Sequence, residues 1–353
     1  MSFFLAGTLG LAFVSAFLFT PLVIKIAPRV GAIDRPNYRK VHTRTMPRMG
    51  GLAIYLAFVI TVIFTQIIDR RLGGLLAGST LIILLGLADD IWNLAPRWKL
   101  LGQILAALVL VAFGTQVNFV TNPFSGGVIT LGILAVPLTV LWIVGVTNAV
   151  NLIDGLDGLA AGVSAVAAIT LAVVGWRSGE MDVAVWALIL AFSTLGFLPY
   201  NFNPARLFMG DSGSMFLGYS LASLSLLSLT KSTTAFSLVI PFIILGIPIL
   251  DTMCAIVRRF LGGQPIFQAD KEHLHHRLLE LGFSHRGTVL IIYAISGIFG
   301  LSALGLTYFA RPEAMFILFG LIIITLIGAS KLGVLAPHKT AAQSAERYRG
   351  LSQ

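Results

Sequence analysis

Charged residues and cysteine are both scarce in this chain of 353 residues. Asp, Glu, Lys and Arg make up 11% of it, against about 25% in an ordinary soluble domain, and Cys254 is the single cysteine. The low charge excludes a soluble globular protein, a disordered chain and a coiled coil, because each needs more polar residues. One cysteine excludes an intramolecular disulfide and a cysteine-based metal site.

Hydrophobic residues make up 57% of the chain, and its mean hydropathy is +0.91. This composition predicts an all-α integral membrane protein, with one membrane domain over 1–330 and a tail over 331–353. Residues 114–132 predict a small external hairpin. We expect about eleven transmembrane helices, the third and fourth of them short, near 3–24, 50–68, 74–88, 100–113, 133–150, 158–176, 182–198, 212–229, 235–257, 287–309 and 313–330.

Basic residues concentrate on one side of this arrangement. Nineteen of the 24 Lys and Arg fall in the tail and in the loops on its side. The positive-inside rule then predicts an inner or plasma membrane protein with a cytoplasmic tail and an external N-terminus. The net charge of +9 is expected to reflect topology and anionic lipid rather than a nucleic-acid partner. Residues 3–24 lack a preceding basic segment, so we expect a retained helix rather than a signal peptide.

An acidic pair, Asp89 and Asp90, closes the predicted third helix in ADDIWNLAPRWKLLGQ. The C-terminal end of a helix disfavours anions, so something must offset the pair. A bound cation, a shared proton, or Arg97 and Lys99 folding back would each do so. The plainer alternative is an acidic pair that merely stops a helix at the interface.

Two Asn and two Asp recur at three-residue spacing in TNAVNLIDGLDGLAAG, at Asn148, Asn151, Asp154 and Asp157. On a helix this spacing brings the side chains to nearly one face. A cap for the following helix needs only one of them. We therefore expect a ligand-binding cluster rather than capping alone.

The segment FMGDSGS places Asp211 at the predicted start of the eighth helix. Free backbone N–H groups at a helix start bind anions, and the carboxylate can bind a hard cation. An Asp that only caps the helix is the alternative. Phe208 beside it is either a lipid-facing residue or a platform on which a base stacks.

The longest cytoplasmic loop ends in DKEHLHHRLLELG. Its Leu residues at 274, 278 and 281 predict an amphipathic helix over 271–281 on the membrane surface. His and Arg on the other face favour binding of phosphate or sugar, whereas a zinc site or a solvated face is the alternative. The residues of that face are His273, His276, Arg277 and Glu280.

Two charged positions lie outside these segments. A rigid PRMGG corner in the first loop is expected to hold Arg48 near a phosphate, although topology and lipid attraction explain most of the charge of that loop. Asp251, inside the predicted ninth helix, is expected to be buried and paired with Arg258 or Arg259.

Carboxylates and cations at one rim of a membrane protein fit phosphoryl transfer assisted by Mg²⁺, with Mn²⁺ as the alternative ion. The metal neutralises a diphosphate, and a carboxylate positions or deprotonates the nucleophile. A proton- or ion-coupled transporter is a more distant alternative. Transporters place acids near the membrane midplane, whereas eleven of the fifteen acids here lie on the predicted cytoplasmic side.

Four segments together resemble the signature motifs of the polyprenyl-phosphate N-acetylhexosamine-1-phosphate transferases of glycosyltransferase family 4. They are ADDIWNL with RWKLLGQ, NAVNLIDGLDGLAAG, FMGDSGS and DKEHLHHRLLELG, in the expected order. The HLHHR form resembles the bacterial branch that transfers N-acetylglucosamine 1-phosphate from UDP-GlcNAc to undecaprenyl phosphate and releases UMP. That reaction starts teichoic acid, O-antigen or other cell-envelope polysaccharide synthesis.

The chain departs from the related phospho-N-acetylmuramoyl-pentapeptide transferases. Asn93 stands where that branch has Lys, a Leu interrupts its His triplet, and its PTMGG segment reads PRMGG. These differences argue against UDP-MurNAc-pentapeptide, which stays an alternative donor together with other UDP-N-acetyl-aminosugars. The oligomeric state, including a homodimer, stays open.

The resemblance also implies roles for individual residues. The acidic pair at 89 and 90 matches residues assigned to the polyprenyl phosphate or its deprotonation, and the acids at 154 and 157 match contacts on the nucleotide side. The full set is Asp89, Asp90, Asp154, Asp157 and His273 as catalytic candidates, Asn151 and Asp211 as metal ligands, Phe208, Asn148, His275, His276 and Arg277 for nucleotide and sugar, and Arg48 and Lys99 for phosphate and lipid.

Overall fold

The computed structural model describes residues 2–35, 45–67, 69–121, 127–228, 239–263, 273–309 and 311–331. Within them the chain forms thirteen α-helices and two small pairs of strands. The helices are α1 (Ser2–Val30), α2 (Gly51–Thr65), α3 (Arg70–Trp92), α4 (Pro96–Ala112), α5 (Ala135–Leu152), α6 (Leu159–Arg177), α7 (Met181–Asn201), α8 (Gly210–Leu227), α9 (Val239–Ile244), α10 (Gly246–Leu261), α11 (Leu274–Glu280), α12 (His285–Tyr308) and α13 (Arg311–Lys331).

The strands form two antiparallel pairs, β1 (Ile33–Asp34) with β2 (Met46–Pro47), and β3 (Phe119–Thr121) with β4 (Val128–Thr130). The first pair closes the loop between α1 and α2. The second confirms the hairpin predicted between the fourth and fifth hydrophobic segments.

Long apolar helices confirm an all-α membrane protein. Among the described residues, seven helices are long and apolar enough to cross a bilayer, namely α1, α3, α5, α6, α7, α12 and α13. The count of eleven spans and the orientation of the N-terminus stay predictions. The division between membrane domain and tail also stays a prediction, because residues 332–353 lie outside the described ranges.

Several predicted helices have different bounds, and α1 continues to Val30, beyond its predicted end at residue 24. The third and fourth are longer than predicted, with 23 and 17 residues, because the helices continue through polar residues that hydropathy leaves out. The predicted ninth helix is two helices, α9 and α10, separated by Leu245. Pro248 explains the break, since it has no N–H to donate to the carbonyl of Ile244 in a continuous helix.

Helix α8 forms the centre of the bundle. Fifteen of its eighteen residues are buried, and it packs against α2, α3, α5 and α6. Small residues allow close helix contacts in membranes, and the Tyr219 ring of α8 fits against Gly78 of α3. Its hydroxyl donates to Ala106 O of α4 at 3.3 Å. The first turn of α8 lies beside the ends of the helices that carry the polar segments described above, since Ser212 and Gly213 pack against Gly86 of α3 and Gly51 of α2.

Candidate active site

A cavity of about 520 Å³ lies at the N-terminal end of α8. Seven of the fourteen predicted site residues line it, and the others lie behind it or beside it. The lining residues are Asp34, Arg48, Asn151, Asp154, Gly155, Leu156, Asp157, Asn201, Asn203, Phe208, Met209, Gly210, Asp211, His276 and His285. The cavity therefore joins the first loop, the Asn/Asp segment, the FMGDSGS segment and the His-rich helix.

Asp90 holds the first turn of α8. Its Oδ1 accepts from Asp211 N at 2.9 Å, and its Oδ2 accepts from Ser212 N at 3.2 Å. The side chain is fully buried, so a carboxylate of α3 caps α8 from outside that helix. The sequence predicted that the backbone N–H groups of this turn are free to bind an anion. For the N–H groups of Asp211 and Ser212 this prediction is wrong, because both donate to Asp90.

Arg48 and Lys99 offset the charge of the acidic pair. Arg48 Nε lies 3.1 Å from Asp90 Oδ1, and its Nη2 lies 3.5 Å from Asp89 Oδ2. Lys99 Nζ lies 3.4 Å from Asp89 Oδ2 and 2.6 Å from Asp211 Oδ2. Of the predicted ways to neutralise the pair, the fold-back of Lys99 is confirmed.

Backbone hydrogen bonds join the PRMGG corner to the FMGDSGS segment. Phe208 N donates to Pro47 O at 2.9 Å, and Gly50 N donates to Phe208 O at 3.1 Å. Gly51 N donates to Met209 O at 3.0 Å. These hydrogen bonds make Arg48 and Phe208 the two members of an isolated parallel β-bridge. Both residues are therefore held at the same edge of the cavity.

Glycines allow three segments to meet at this edge. A Cβ at Gly51 of α2 would overlap the backbone of Gly213, and a Cβ at Gly86 of α3 would overlap the backbone of Ser212. Gly210 has a left-handed backbone with φ of 74°, and a side chain there would meet the Asp90 carboxylate. We call Gly51, Gly86, Gly210 and Gly213 the glycine junction.

The two predicted Asn residues have different positions. Asn151 lines the cavity, and its Nδ2 donates to Ser214 Oγ at 2.8 Å. This bond uses the amide nitrogen, so Oδ1 is the atom available to a ligand. Asn148 lies one turn earlier, and among the described residues its side chain pairs with Gln103 of α4.

The two acids of the DGLDG segment both line the cavity. Asp157 Oδ2 accepts from Asn203 Nδ2 at 3.0 Å and from Ala205 N at 3.1 Å, and so holds the loop that leads to α8. Burial, and then the nearby carboxylate of Asp211, raise the pKa of Asp154 to about 8. Asp154 therefore favours either a proton or a nearby cation.

His273 is buried next to α10. Its Nδ1 lies 2.8 Å from Asp251 Oδ2, and Leu274 N donates to Asp251 Oδ1 at 2.8 Å. Asp251 is buried as predicted, and the start of α11 folds back over α10 to contact it. Its predicted pairing with Arg258 or Arg259 stays a prediction. The catalytic role assigned to His273 stays a prediction.

The other residues of α11 divide between the protein interior and the cavity. His275 is buried and stacks parallel to His273 with ring centroids 5.8 Å apart. Burial, and then His276, lower the pKa of His275 to about 3, so it is neutral at physiological pH. His276 lines the cavity, and Arg277 Nη1 lies 3.3 Å from Glu280 Oε2.

The apolar face of α11 packs on the protein core. Leu278 is buried, and Leu274 packs against the core cluster, whereas Leu281 follows the helix and is exposed. The protein itself therefore covers much of this apolar face, and the position of the helix relative to the membrane surface stays a prediction. The leucine spacing indicated an apolar face but not the surface that covers it.

Comparisons with known proteins agree with these segments. A family model described as glycosyl transferase family 4 matches residues 72–229. The chain is 48% identical over 322 residues to the probable undecaprenyl-phosphate N-acetylglucosaminyl 1-phosphate transferase of Bacillus subtilis, over 91% of this chain and 90% of that protein. The chain belongs to glycosyl transferase family 4. The family predicted from the four segments is thus confirmed.

Other family 4 relatives are more distant. The decaprenyl-phosphate N-acetylglucosaminephosphotransferase of Mycobacterium tuberculosis is 37% identical over 343 residues, covering 89% of this chain and 85% of the relative. The undecaprenyl-phosphate alpha-N-acetylglucosaminyl 1-phosphate transferase of Haemophilus influenzae is 30% identical over 316 residues, covering 86% and 88%.

The lining of this family 4 cavity fits a hard divalent cation. Asp211 and Asn151 offer oxygen ligands, which Mg²⁺ prefers, and Arg48 and Lys99 would share the Asp211 carboxylate with it. In the ranges that the structure describes, no group of three His, Cys, Asp or Glu side chains is arranged to hold a metal. Few protein ligands suit Mg²⁺, since it commonly keeps waters and binds substrate phosphates.

Polar residues outside the predicted set also line the cavity, among them Asp34, Asn203 and His285. Asn203 lies beside the FMGDSGS segment and pairs with Asp157, so its proximity along the chain was a usable signal. Asp34 in β1 and His285 at the start of α12 come from distant segments without a local motif.

Proposed function

We propose that this protein transfers N-acetylglucosamine 1-phosphate from UDP-GlcNAc to undecaprenyl phosphate, giving polyprenyl-diphospho-GlcNAc and UMP. The observation that carries the proposal is the cavity itself, which joins three of the four signature segments to the first loop and places Arg48 beside Asp211. The fourth segment lies behind it, where Asp89, Asp90 and Lys99 bind Arg48 and Asp211. The names of the relatives support the same acceptor and the same transferred group, N-acetylglucosaminyl 1-phosphate. The product would start the assembly of a cell-envelope polysaccharide.

The donor would bind in the polar cavity. Phe208 is at an edge where a uracil ring can stack, and His276 is a neighbour suited to the sugar and diphosphate. Asp154 is the lining acid with the raised pKa, so it would respond to the charge of an incoming nucleotide and metal. Asn148, which pairs with Gln103, would act on the nucleotide only indirectly.

The isoprenoid chain of the acceptor would bind in an apolar groove of about 530 Å³ between α5 and α10. Its lining includes Leu141, Trp142 and Ala149 of α5 and Met253 and Ile256 of α10. The groove and the polar cavity both reach the C-terminal end of α5, since Ala149 lines the groove and Asn151, about 200° further around the helix, lines the cavity. A lipid lying in the groove would pass its phosphate around this end of α5 to reach the donor.

In the proposed reaction an oxygen of the lipid phosphate attacks the β-phosphorus of UDP-GlcNAc. The bond from that phosphorus to the bridging oxygen breaks, and UMP leaves with the oxygen. Arg48 and Lys99 would hold the phosphates and offset their charge. Mg²⁺ at Asp211 and Asn151, when bound, would supply further neutralisation of the diphosphate.

Asp89 and Asp90 support this arrangement mainly by position. Among the described contacts they bind Arg48, Lys99 and the first turn of α8. We infer that they orient the two cations, and the direct catalytic role assigned to the pair stays a prediction. A lipid phosphate monoester already carries negative charge at neutral pH, so its attack does not depend on a strong base.

The proposal places the cavity on the cytoplasmic face of the plasma membrane. UDP-sugars are charged, and the basic loops that border the cavity are those that the positive-inside rule assigns to the cytoplasm. The eleven-span topology with an external N-terminus belongs to the same proposal.

The proposal is tested with purified protein, undecaprenyl phosphate and radiolabelled UDP-GlcNAc, UDP-GalNAc or UDP-MurNAc-pentapeptide, with and without Mg²⁺. We expect Mg²⁺-dependent lipid-linked GlcNAc and an equal amount of UMP. Asp211→Asn should lower the rate at least about 100-fold, whereas the matched control Asp182→Asn, at the start of α7, should not. Lipid product from another donor alone would refute the sugar, and substrate flux into sealed vesicles without lipid product would favour a transporter.

A further inference from the structure

A pair of side-chain amides lies between α4 and α5, behind the cavity. Asn148 Nδ2 donates to Gln103 Oε1 at 2.7 Å, and Gln103 Nε2 donates to Asn148 Oδ1 at 3.4 Å. Gln103 is buried, with 2% of its surface exposed. Its Nε2 also lies 3.3 Å from Met215 Sδ of α8. The amide pair therefore links α4, α5 and α8.

Each residue of this contact lies within one turn of a residue of the site. Lys99 is four residues before Gln103 on α4, Asn151 is three residues after Asn148 on α5, and Ser214 directly precedes Met215 on α8. The spacings of four on α4 and three on α5 place each pair on one face of its helix, whereas Ser214 and Met215 are simply consecutive. The amide pair therefore lies directly behind the contacts of Lys99 with Asp211 and of Asn151 with Ser214.

A polar pair at this place needs a reason beyond helix packing. Contacts between these helices also use small residues and apolar side chains, and interhelical hydrogen bonds in membranes add little stability on average. Asn148 Nδ2 donates in addition to Val144 O at 2.8 Å, which fixes the orientation of the amide on its own helix. Because the two planar amides form two hydrogen bonds with each other, they fix both the distance and the relative rotation of α4 and α5. Apolar contacts are less directional and fix these two quantities less well.

We propose that Gln103 is a positioning residue, which acts through Asn148 to align Lys99 and Asn151 with Asp211. The inference rests on the proposed function for its kinetic consequence. Its structural consequence is independent of turnover, because misalignment of Asn151 and Asp211 weakens binding of the metal itself. Outer residues that orient metal ligands commonly change metal affinity about 10–100-fold when they are replaced.

The test uses Gln103→Leu, Asn148→Leu and the exchanged double variant Gln103→Asn/Asn148→Gln. Purified proteins are titrated with Mg²⁺ alone while thermal unfolding is followed, and kcat and KM are measured with UDP-GlcNAc and undecaprenyl phosphate. Each Leu variant should need about tenfold more Mg²⁺ for half of the thermal shift. Its kcat should fall about 10–100-fold, and its KM for undecaprenyl phosphate should stay within about twofold. The exchanged variant should recover most of both.

The matched control is Gln116→Leu, which removes a Gln–Asn bond of the same kind at the hairpin, where Gln116 Nε2 lies 2.8 Å from Asn118 Oδ1. It should leave both readouts unchanged. Unchanged Mg²⁺ titration in the Leu variants would overturn the inference. The inference would also fail if the exchanged variant lost as much Mg²⁺ affinity and kcat as the single Leu variants and all of them had lower thermal stability before Mg²⁺ is added. That result would show that the pair contributes only to helix packing. Failure of the wild-type protein to form product would refute the proposed function, and the metal titration would still decide the role of Gln103.

Discussion

Replacing Asp90 with Asn separates a positioning role from a role as the base. The buried carboxylate accepts from Arg48 Nε, Asp211 N and Ser212 N. Asn has nearly the same shape, but it loses the charge and turns an NH₂ group towards an N–H donor or towards the guanidinium. Disrupting a buried, hydrogen-bonded charge pair costs about 3–5 kcal/mol. If about 3 kcal/mol of this cost is lost from the binding of the transition state, because Arg48 and α8 are no longer aligned, kcat falls about 100-fold. Each 1.36 kcal/mol added to the activation free energy lowers the rate tenfold.

The assay is UMP release by Asp90→Asn across a range of pH, with thermal unfolding of the same samples. A positioning residue leaves the shape of the pH profile unchanged while kcat falls. Asp69→Asn is the matched control, because Asp69 caps α3 through Leu72 N at 2.8 Å and binds Arg71 at 2.8 Å, at the other end of that helix. The control should keep wild-type turnover. Loss of the acidic limb of the profile would identify Asp90 as the base, and a change in kcat below about threefold would refute the alignment argument.

Three further predictions concern pH, the glycine junction and α11. Without metal, the raised pKa of Asp154 keeps its carboxyl group protonated in the folded protein, whereas the unfolded chain loses this proton above the usual Asp pKa. The contribution of Asp154 to the free energy of unfolding therefore falls as pH rises towards about 8. Asp154→Asn should therefore raise Tm more at pH 8.5 than at pH 5 in thermal unfolding, and a constant difference would contradict this. Gly86→Ala should lower stability by about 1–3 kcal/mol and abolish turnover, whereas Gly297→Ala, with open space around it, should do neither in the same assays. Asp251→Ala should raise KM for UDP-GlcNAc about tenfold in steady-state kinetics by releasing the start of α11, and an unchanged KM would show that this anchor does not affect the donor.

Hydropathy predicted the membrane helices because apolar runs directly reflect the bilayer. It did not predict their polar ends, as at α3, which continues through Asp89 and Asp90 to Trp92. A polar helical turn has no hydropathy signal, and its hydrogen-bond partners come from elsewhere in the chain.

The residues that line the cavity were predictable where several polar residues cluster in one segment, as at Asn151, Asp154 and Asp211. Their partners were not. Asp90 bonds to an amide 121 positions away, and such a contact depends on how α3 packs against α8. The seating of α11 on the core likewise depends on Asp251, which local helix periodicity does not connect to that segment.

The glycine junction has a consequence for resistance to inhibitors. At Gly51, Gly86 and Gly213 an added side chain would collide with neighbouring atoms, and at Gly210 the backbone conformation is itself unfavourable for other residues. Gly210 also lines the cavity. A compound seated against the main chain there would contact atoms that a point mutation cannot change without separating α2, α3 and α8. Escape variants should therefore arise at the side chains around the rim of the cavity rather than at the junction.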